Sequence, residues 1–131
     1  MDIKHILILE DDEKLARLYQ QYLWEEFFNG IVPTITDTVH SAIASAKKMA
    51  DGGTPFYVAI LDYSIWNDNQ TGNDAARIIK TLSPTTRIVG NTGGNPLLFD
   101  RQFVDKVMCR KIRTATGMLL AIRDNNLGGM P

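Results

Sequence analysis

Ile6-Leu7-Ile8-Leu9, followed at once by Glu10-Asp11-Asp12-Glu13, is the stretch that decides the fold. Four apolar residues without polar alternation suit a strand buried on both faces, as in a parallel sheet. The acids end that strand abruptly. Leu15, Leu18, Tyr19, Tyr22 and Leu23 then recur at helical spacing, so a helix follows, and Asn29-Gly30 closes it. The same alternation continues outward. Ile31–Thr36 is rich in β-branched residues and reads as a second strand. Val39, Ala42, Ile43, Ala46 and Met49 give a second helical stripe. Residues 56–61 form a third apolar run that ends at Asp62. Ala75, Ile78, Ile79 and Leu82 mark a third helix, stopped by Ser83-Pro84. Arg87–Gly90 is a short fourth strand. Asn95-Pro96 signals a brief helix reaching about Phe103. Val107-Met108-Cys109 reads as a fifth strand, with Cys109 expected to be a buried small hydrophobe. Ala115, Met118, Leu119 and Ile122 mark a last helix. Strand then helix, five times over, predicts an α/β fold: an open, doubly wound, five-stranded parallel sheet with helices on both faces.

Composition limits the function. The chain has 131 residues, 44% apolar and 22% charged, the values of one ordinary globular domain. A formal net charge of −1 offers no broad basic field, so neither nucleic acid nor an anionic membrane is an expected partner. No apolar run approaches the roughly 18 residues that a membrane span requires. The early acids interrupt any signal-peptide pattern, and the lone Cys109 has no internal disulfide partner. A cytoplasmic setting is the expectation. The domain is expected to span residues 1–125, with residues 126–131 as a flexible C-terminal tail.

In such sheets, sites form at the carboxyl ends of the strands. Those ends here are Glu10-Asp11-Asp12, Asp62, Asn91-Thr92-Gly93 and Arg110-Lys111. Acids, a hydroxyl and a cation therefore meet along one edge. Two carboxylates about 4 Å apart repel by roughly 4 kcal/mol at an effective dielectric near 20. A hard divalent cation with oxygen ligands relieves that repulsion. The competing structural readings are that Glu10 and Asp11 merely favour a helix start, and that Asp62 and Thr92 merely build turns.

Three segments in this order resemble the receiver domains of two-component response regulators: Leu7-Ile8-Leu9-Glu10-Asp11-Asp12-Glu13, Val58-Ala59-Ile60-Leu61-Asp62 and Ile88-Val89-Gly90-Asn91-Thr92-Gly93. The likeness extends over about residues 3–124. It implies a flavodoxin-like fold and a phosphoacceptor aspartate at Asp62. It further implies a Mg²⁺ (or Mn²⁺) site made by Glu10, Asp11, Asp62 and the backbone carbonyl of Ser64. Thr92 matches the hydroxyl that turns toward the phosphoryl group, and Gly93 the small residue beside it. The family's cation falls on Arg110 in a gap-free match and on Lys111 after a slip of one residue. Successive strand side chains alternate faces, so only one of the two can face the site.

The sequence departs from the family pattern in three places. Ile65-Trp66 replaces a Met-Pro pair, with the following glycine (Gly72) about two residues late. No proline follows the strand-five cation. In the gap-free match Val107 stands where an aromatic residue is usual, and the fourth helical region is short. Trp66 is expected beside the site. The resemblance implies a signalling domain rather than an enzyme, with self-phosphorylation and dephosphorylation its only chemistry. Implied partners are a sensor histidine kinase or phosphotransfer protein and a downstream effector protein, and a phosphorylation-dependent dimer is a further expectation. The departures motivate a second reading, a degenerate receiver that binds proteins without being phosphorylated. A phosphatase with an aspartate nucleophile is a third, disfavoured because Ser64 stands where its acid would be.

Overall fold

Apolar runs interleaved with helical stripes produce the expected layers. The computed structural model describes residues 2–123; the expected tail over residues 126–131 lies outside them. Five parallel strands run in the order β2-β1-β3-β4-β5, where β1 is Lys4–Leu9, β2 Ile31–Thr36, β3 Val58–Leu61, β4 Arg87–Gly90 and β5 Lys106–Val107. The helices are α1 Glu13–Trp24, α2 Val39–Asp51, α3 Gly72–Leu82 and α4 Ala115–Ile122. This is the doubly wound, flavodoxin-like arrangement that the sequence predicts.

Successive strand residues supply opposite faces of the sheet. Leu7, Leu9, Ala59, Leu61 and Ile88 pack against Val39, Ala42 and Ala46 of α2 and Ala75, Ala76 and Ile79 of α3. Ile6, Ile8, Val58, Ile60 and Val89 pack against Leu15, Tyr19 and Leu23 of α1 and Met118, Ala121 and Ile122 of α4. Every residue from Val58 to Leu61 is therefore buried, which is why β3 lacks polar alternation. Pro33 sits within β2, an edge strand, where a missing N–H costs least.

The third helix starts close against the site. Gly72 comes so near Asp62 that a Cβ built on it would lie 2.1 Å from the Asp62 carbonyl oxygen. The Gly72 N–H donates to the Tyr63 carbonyl at 2.8 Å. Thr71 and Asp74 form a reciprocal capping box at the same point. The loop after Asp62 is thus longer than the family pattern implies, but it closes back onto the strand end at this glycine.

Three expectations on the β4–β5 side need correction. The helix expected between Asn95 and about Phe103 is only a short 3₁₀ turn, Pro96–Leu98. Its buried anchor is Phe99, whose ring fills the space a side chain on Gly90 would take: a Cβ there would come within 2.7 Å of the ring. The fifth strand is Lys106–Val107, not Val107-Met108-Cys109. After Met108 N–H donates to the Gly90 carbonyl at 2.9 Å the chain leaves the sheet, so Cys109 is exposed rather than buried.

Candidate functional site

Strand order places the carboxyl ends of β1, β3 and β4 side by side, and their terminal residues line one open pocket of about 490 Å³. Glu10, Asp11, Asp62, Ser64, Thr92, Gly93 and Lys111 all line it. Glu10 is 2% exposed and Asp62 and Thr92 are each 7% exposed, so these are interior polar groups, not solvated turn residues. Glu10, Asp11 and Asp62 can each offer one carboxylate oxygen, all within 4.8 Å of one another.

Buried carboxylates persist only when something compensates them. Here the compensation comes from Lys111. Its Nζ donates to Asp62 Oδ2 at 2.7 Å and lies 2.7 Å from Glu10 Oε1. Asp62 Oδ1 accepts the Tyr63 N–H at 2.7 Å, and Glu10 Oε2 accepts the Asp12 N–H at 3.1 Å. Glu10 Oε1 has the Lys111 ammonium as its ion-pair partner. Burial raises the Glu10 carboxyl above its usual range, against the lowering influence of Lys111. Burial alone would lower the Lys111 ammonium; the carboxylates of Asp62 and Glu10 outweigh it and hold the group above its ordinary value.

The choice between the two candidate cations resolves in favour of Lys111. Arg110 is exposed and lines a neighbouring groove instead of the Asp62 pocket. The gap-free match therefore misplaces the cation by one residue, because the chain leaves β5 early and turns before reaching the site. The Arg110–Lys111 peptide bond is trans, as expected where no proline follows.

Lys111 is not on a strand, and side chains fix the loop that carries it. Tyr19 Oη donates to the Ile112 carbonyl at 2.6 Å. Asn91 Nδ2 donates to Tyr19 Oη at 3.1 Å, and the Ile112 N–H donates to Asn91 Oδ1 at 2.8 Å. Tyr19 is wholly buried, and that burial pushes its phenol up to about 12. Sequence reasoning missed this role for Tyr19 and Asn91. The available signal was a hydroxyl on an otherwise apolar helix face, since a buried Tyr needs a polar partner.

Asp11 is half-buried, and its Oδ2 accepts the Trp66 N–H at 2.6 Å. The Trp66 amide is thus beside the site, but the residue is 85% exposed and does not line the pocket. Asn67 follows in a left-handed conformation, φ 57°, which Asn tolerates better than most residues. Thr92 Oγ1 accepts the Gly94 N–H at 3.1 Å. Gly93 leaves open space, for a Cβ there would meet only Lys111 Cδ at 3.9 Å. Val107, which only the gap-free match puts where receiver domains usually carry an aromatic residue, is buried in the core.

The donor set suits a hard divalent cation. It offers three carboxylates from two adjacent strand ends in an open pocket.

No protein-family model matches the chain, and no curated protein matches it in sequence. Solved structures do match. A CheY-like response regulator receiver domain protein from Methanospirillum hungatei superposes with a TM-score of 0.72 at 21% identity, covering 89% of this chain and 88% of that one. A response regulator from Burkholderia pseudomallei, solved with a phosphorylated aspartic acid, calcium ion and citrate, gives 0.72 at 22% identity, covering 93% and 68%. A response regulator from Thermotoga maritima, in complex with Mg²⁺ and BeF, gives 0.65 at 18% identity, covering 86% and 88%. The molecule is thus an open α/β sheet with an acidic pocket at its switch edge. More narrowly, it has the fold of CheY-like response regulator receiver domains.

Proposed function

We propose that the chain is a phosphoacceptor receiver domain of a two-component or phosphorelay system, phosphorylated on Asp62 in a Mg²⁺-dependent reaction. The observation that carries this reading is the burial of Asp62 in one pocket with Glu10, Asp11, Thr92 and Lys111. Glu10, Asp11, Asp62 and the Ser64 carbonyl would hold the metal. When bound, a divalent cation neutralises the clustered carboxylates and orients phosphoryl oxygens. The protein's own groups do the rest. An Asp62 carboxylate oxygen attacks phosphorus and forms an acyl phosphate as the donor's bond to phosphorus breaks and its electron pair leaves with the donor. Lys111, already hydrogen-bonded to Asp62, pairs with the added negative charge. Thr92, whose hydroxyl now accepts from Gly94, can rotate to donate to a phosphoryl oxygen. That exchange of partners biases the β4 end between two arrangements. On this reading the domain turns nothing over beyond its own phosphorylation state. It takes phosphoryl groups from a histidine kinase or phosphotransfer protein and acts on a downstream effector in the cytoplasm.

The experiment is labelling by acetyl phosphate with Mg²⁺, followed by intact mass. Wild type gains one phosphoryl group, and Asp62→Asn or chelation of the metal abolishes the gain. A folded wild type that never gains it overturns the proposal. The degenerate-receiver reading then stands in its place; it draws on the double engagement of Lys111 with Glu10 and Asp62, which leaves the pocket internally compensated.

A further inference from the structure

The acidic pocket opens onto a groove of opposite character. This groove, about 640 Å³, runs between Thr92-Gly93-Gly94 and the segment that leads into α4. It shares Thr92, Gly93, Gly94 and Lys111 with the Asp62 pocket. Its charged lining is cationic throughout: Arg110, Lys111 and Arg113. Arg113 lines both spaces, so it stands where they join. Its backbone is held on both sides. The Ile112 carbonyl accepts from Tyr19 Oη, and the Arg113 carbonyl accepts from Tyr22 Oη at 3.0 Å. Its guanidinium is exposed and makes no hydrogen bond or ion pair with any described residue. A fixed root with an unengaged planar fork suits a carboxylate from outside the chain.

We infer that Arg113, with Arg110 in the same groove, is a leaving-group subsite for acyl phosphate donors, a deepening that rests on the phosphoacceptor reading of Asp62. In the transfer, an Asp62 carboxylate oxygen forms a bond to phosphorus as the bond from phosphorus to the acyl oxygen breaks. That electron pair departs with the donor's carboxylate, and no proton or further reactant is needed. In-line displacement puts the departing oxygen on the far side of phosphorus from Asp62. Asp62 is buried at the pocket floor, so the far side faces the open end, where Arg113 and the groove are exposed. Gly93 and Gly94 line both spaces and contribute no side chains to them. The negative charge that grows on the acyl oxygen is thus met by Arg113, while Lys111 stays with Asp62.

The test compares two donors on one protein. Acetyl phosphate releases a carboxylate; phosphoramidate releases ammonia, which gains nothing from a cation. Labelling rates at saturating Mg²⁺ are measured for wild type, Arg113→Gln and Arg113→Lys, with the thermal midpoint of each variant as a folding check. In Arg113→Gln the acetyl phosphate rate falls about three- to tenfold, a modest loss because the guanidinium is solvent-exposed. The phosphoramidate rate changes less than about twofold, and Arg113→Lys recovers part of the loss, since it restores charge without the fork. An unchanged ratio between donors, whether both rates fall together or neither moves, overturns the subsite and leaves Asp62 as phosphoacceptor. Failure of wild type to label with either donor overturns both.

Discussion

The two halves of the sheet hold their share of the pocket in different ways. On one side, β1, β2 and β3 pair over six and four residues in unbroken register, under helices of 11 to 13 residues. Glu10 and Asp62 are the residues immediately after two of those strands, and the ladder continues through them: Glu10 N–H donates to Thr36 and Asp62 N–H to Leu9. On the other side, β4 and β5 pair over only two positions, and the crossover between them has no α-helix. Lys111 stands four residues beyond β5, in a loop. Backbone hydrogen bonds set the acids, whereas side-chain hydrogen bonds set the cation. The pocket therefore joins a stiff wall to one whose geometry hangs on Tyr19 and Asn91.

The largest effect should come from the one point where the acid side depends on a side chain being absent. Gly72→Ala places a carbon 2.1 Å from the Asp62 carbonyl oxygen. The capping box and the bond to Tyr63 leave the helix start little room to retreat. Denaturant unfolding should show a loss of at least about 3 kcal/mol, at the upper end for overpacking against backbone. A loss below about 1 kcal/mol would mean that the strand end yields, and the description of a stiff wall would be wrong.

Asn91→Ala tests the other wall. It removes the acceptor of the Ile112 N–H and the donor to Tyr19 Oη, both buried. Leaving such groups unsatisfied costs about 2–3 kcal/mol. The sharper readout is hydrogen exchange. The Ile112 amide should lose protection, while the Asp62 amide, bonded to Leu9, keeps it. Equal loss at both amides would show that the two halves open as one unit.

The same contrast explains what could be read from sequence. The acid side was legible, since Ile6–Leu9 and Val58–Leu61 are buried on both faces and so show uninterrupted apolar runs that stop at the acids of the pocket. The cation side was legible only in part. Val107-Met108-Cys109 looks like a strand, yet the chain departs after Met108, and nothing local to those residues records it. What turns it is Asn91, 21 residues before Ile112, and Tyr19, 93 residues before it. That is why Arg110 and Lys111 could not be separated by counting. The absence of an α-helix between β4 and β5 has a similar origin. Asn95-Pro96 is a true helix start, but Phe99 is drawn into the space above Gly90 and ends the turn.

The finest distinction between the two walls is their response to alkali. Burial holds the Tyr19 phenol neutral up to about 12, against a usual 10.0. Because the folded value lies above the unfolded one, this group's contribution to stability is complete below 10 and is lost as pH rises through 12. Tyr19→Phe deletes the hydroxyl and with it that titration. At neutral pH the variant should be less stable by about 1–2 kcal/mol, since the Ile112 carbonyl and Asn91 lose a partner. Between pH 10 and 12 wild type alone gives up the phenol's contribution, so the gap between the proteins should narrow. Lys111, also held above its ordinary value, titrates in both proteins, so only its coulombic coupling to the Tyr19 phenol enters the difference. Urea midpoints across that range measure it. A gap that stays constant would mean that the Tyr19 phenol ionises in the folded protein as it does in the unfolded chain, and that solvent reaches the wall that carries Lys111.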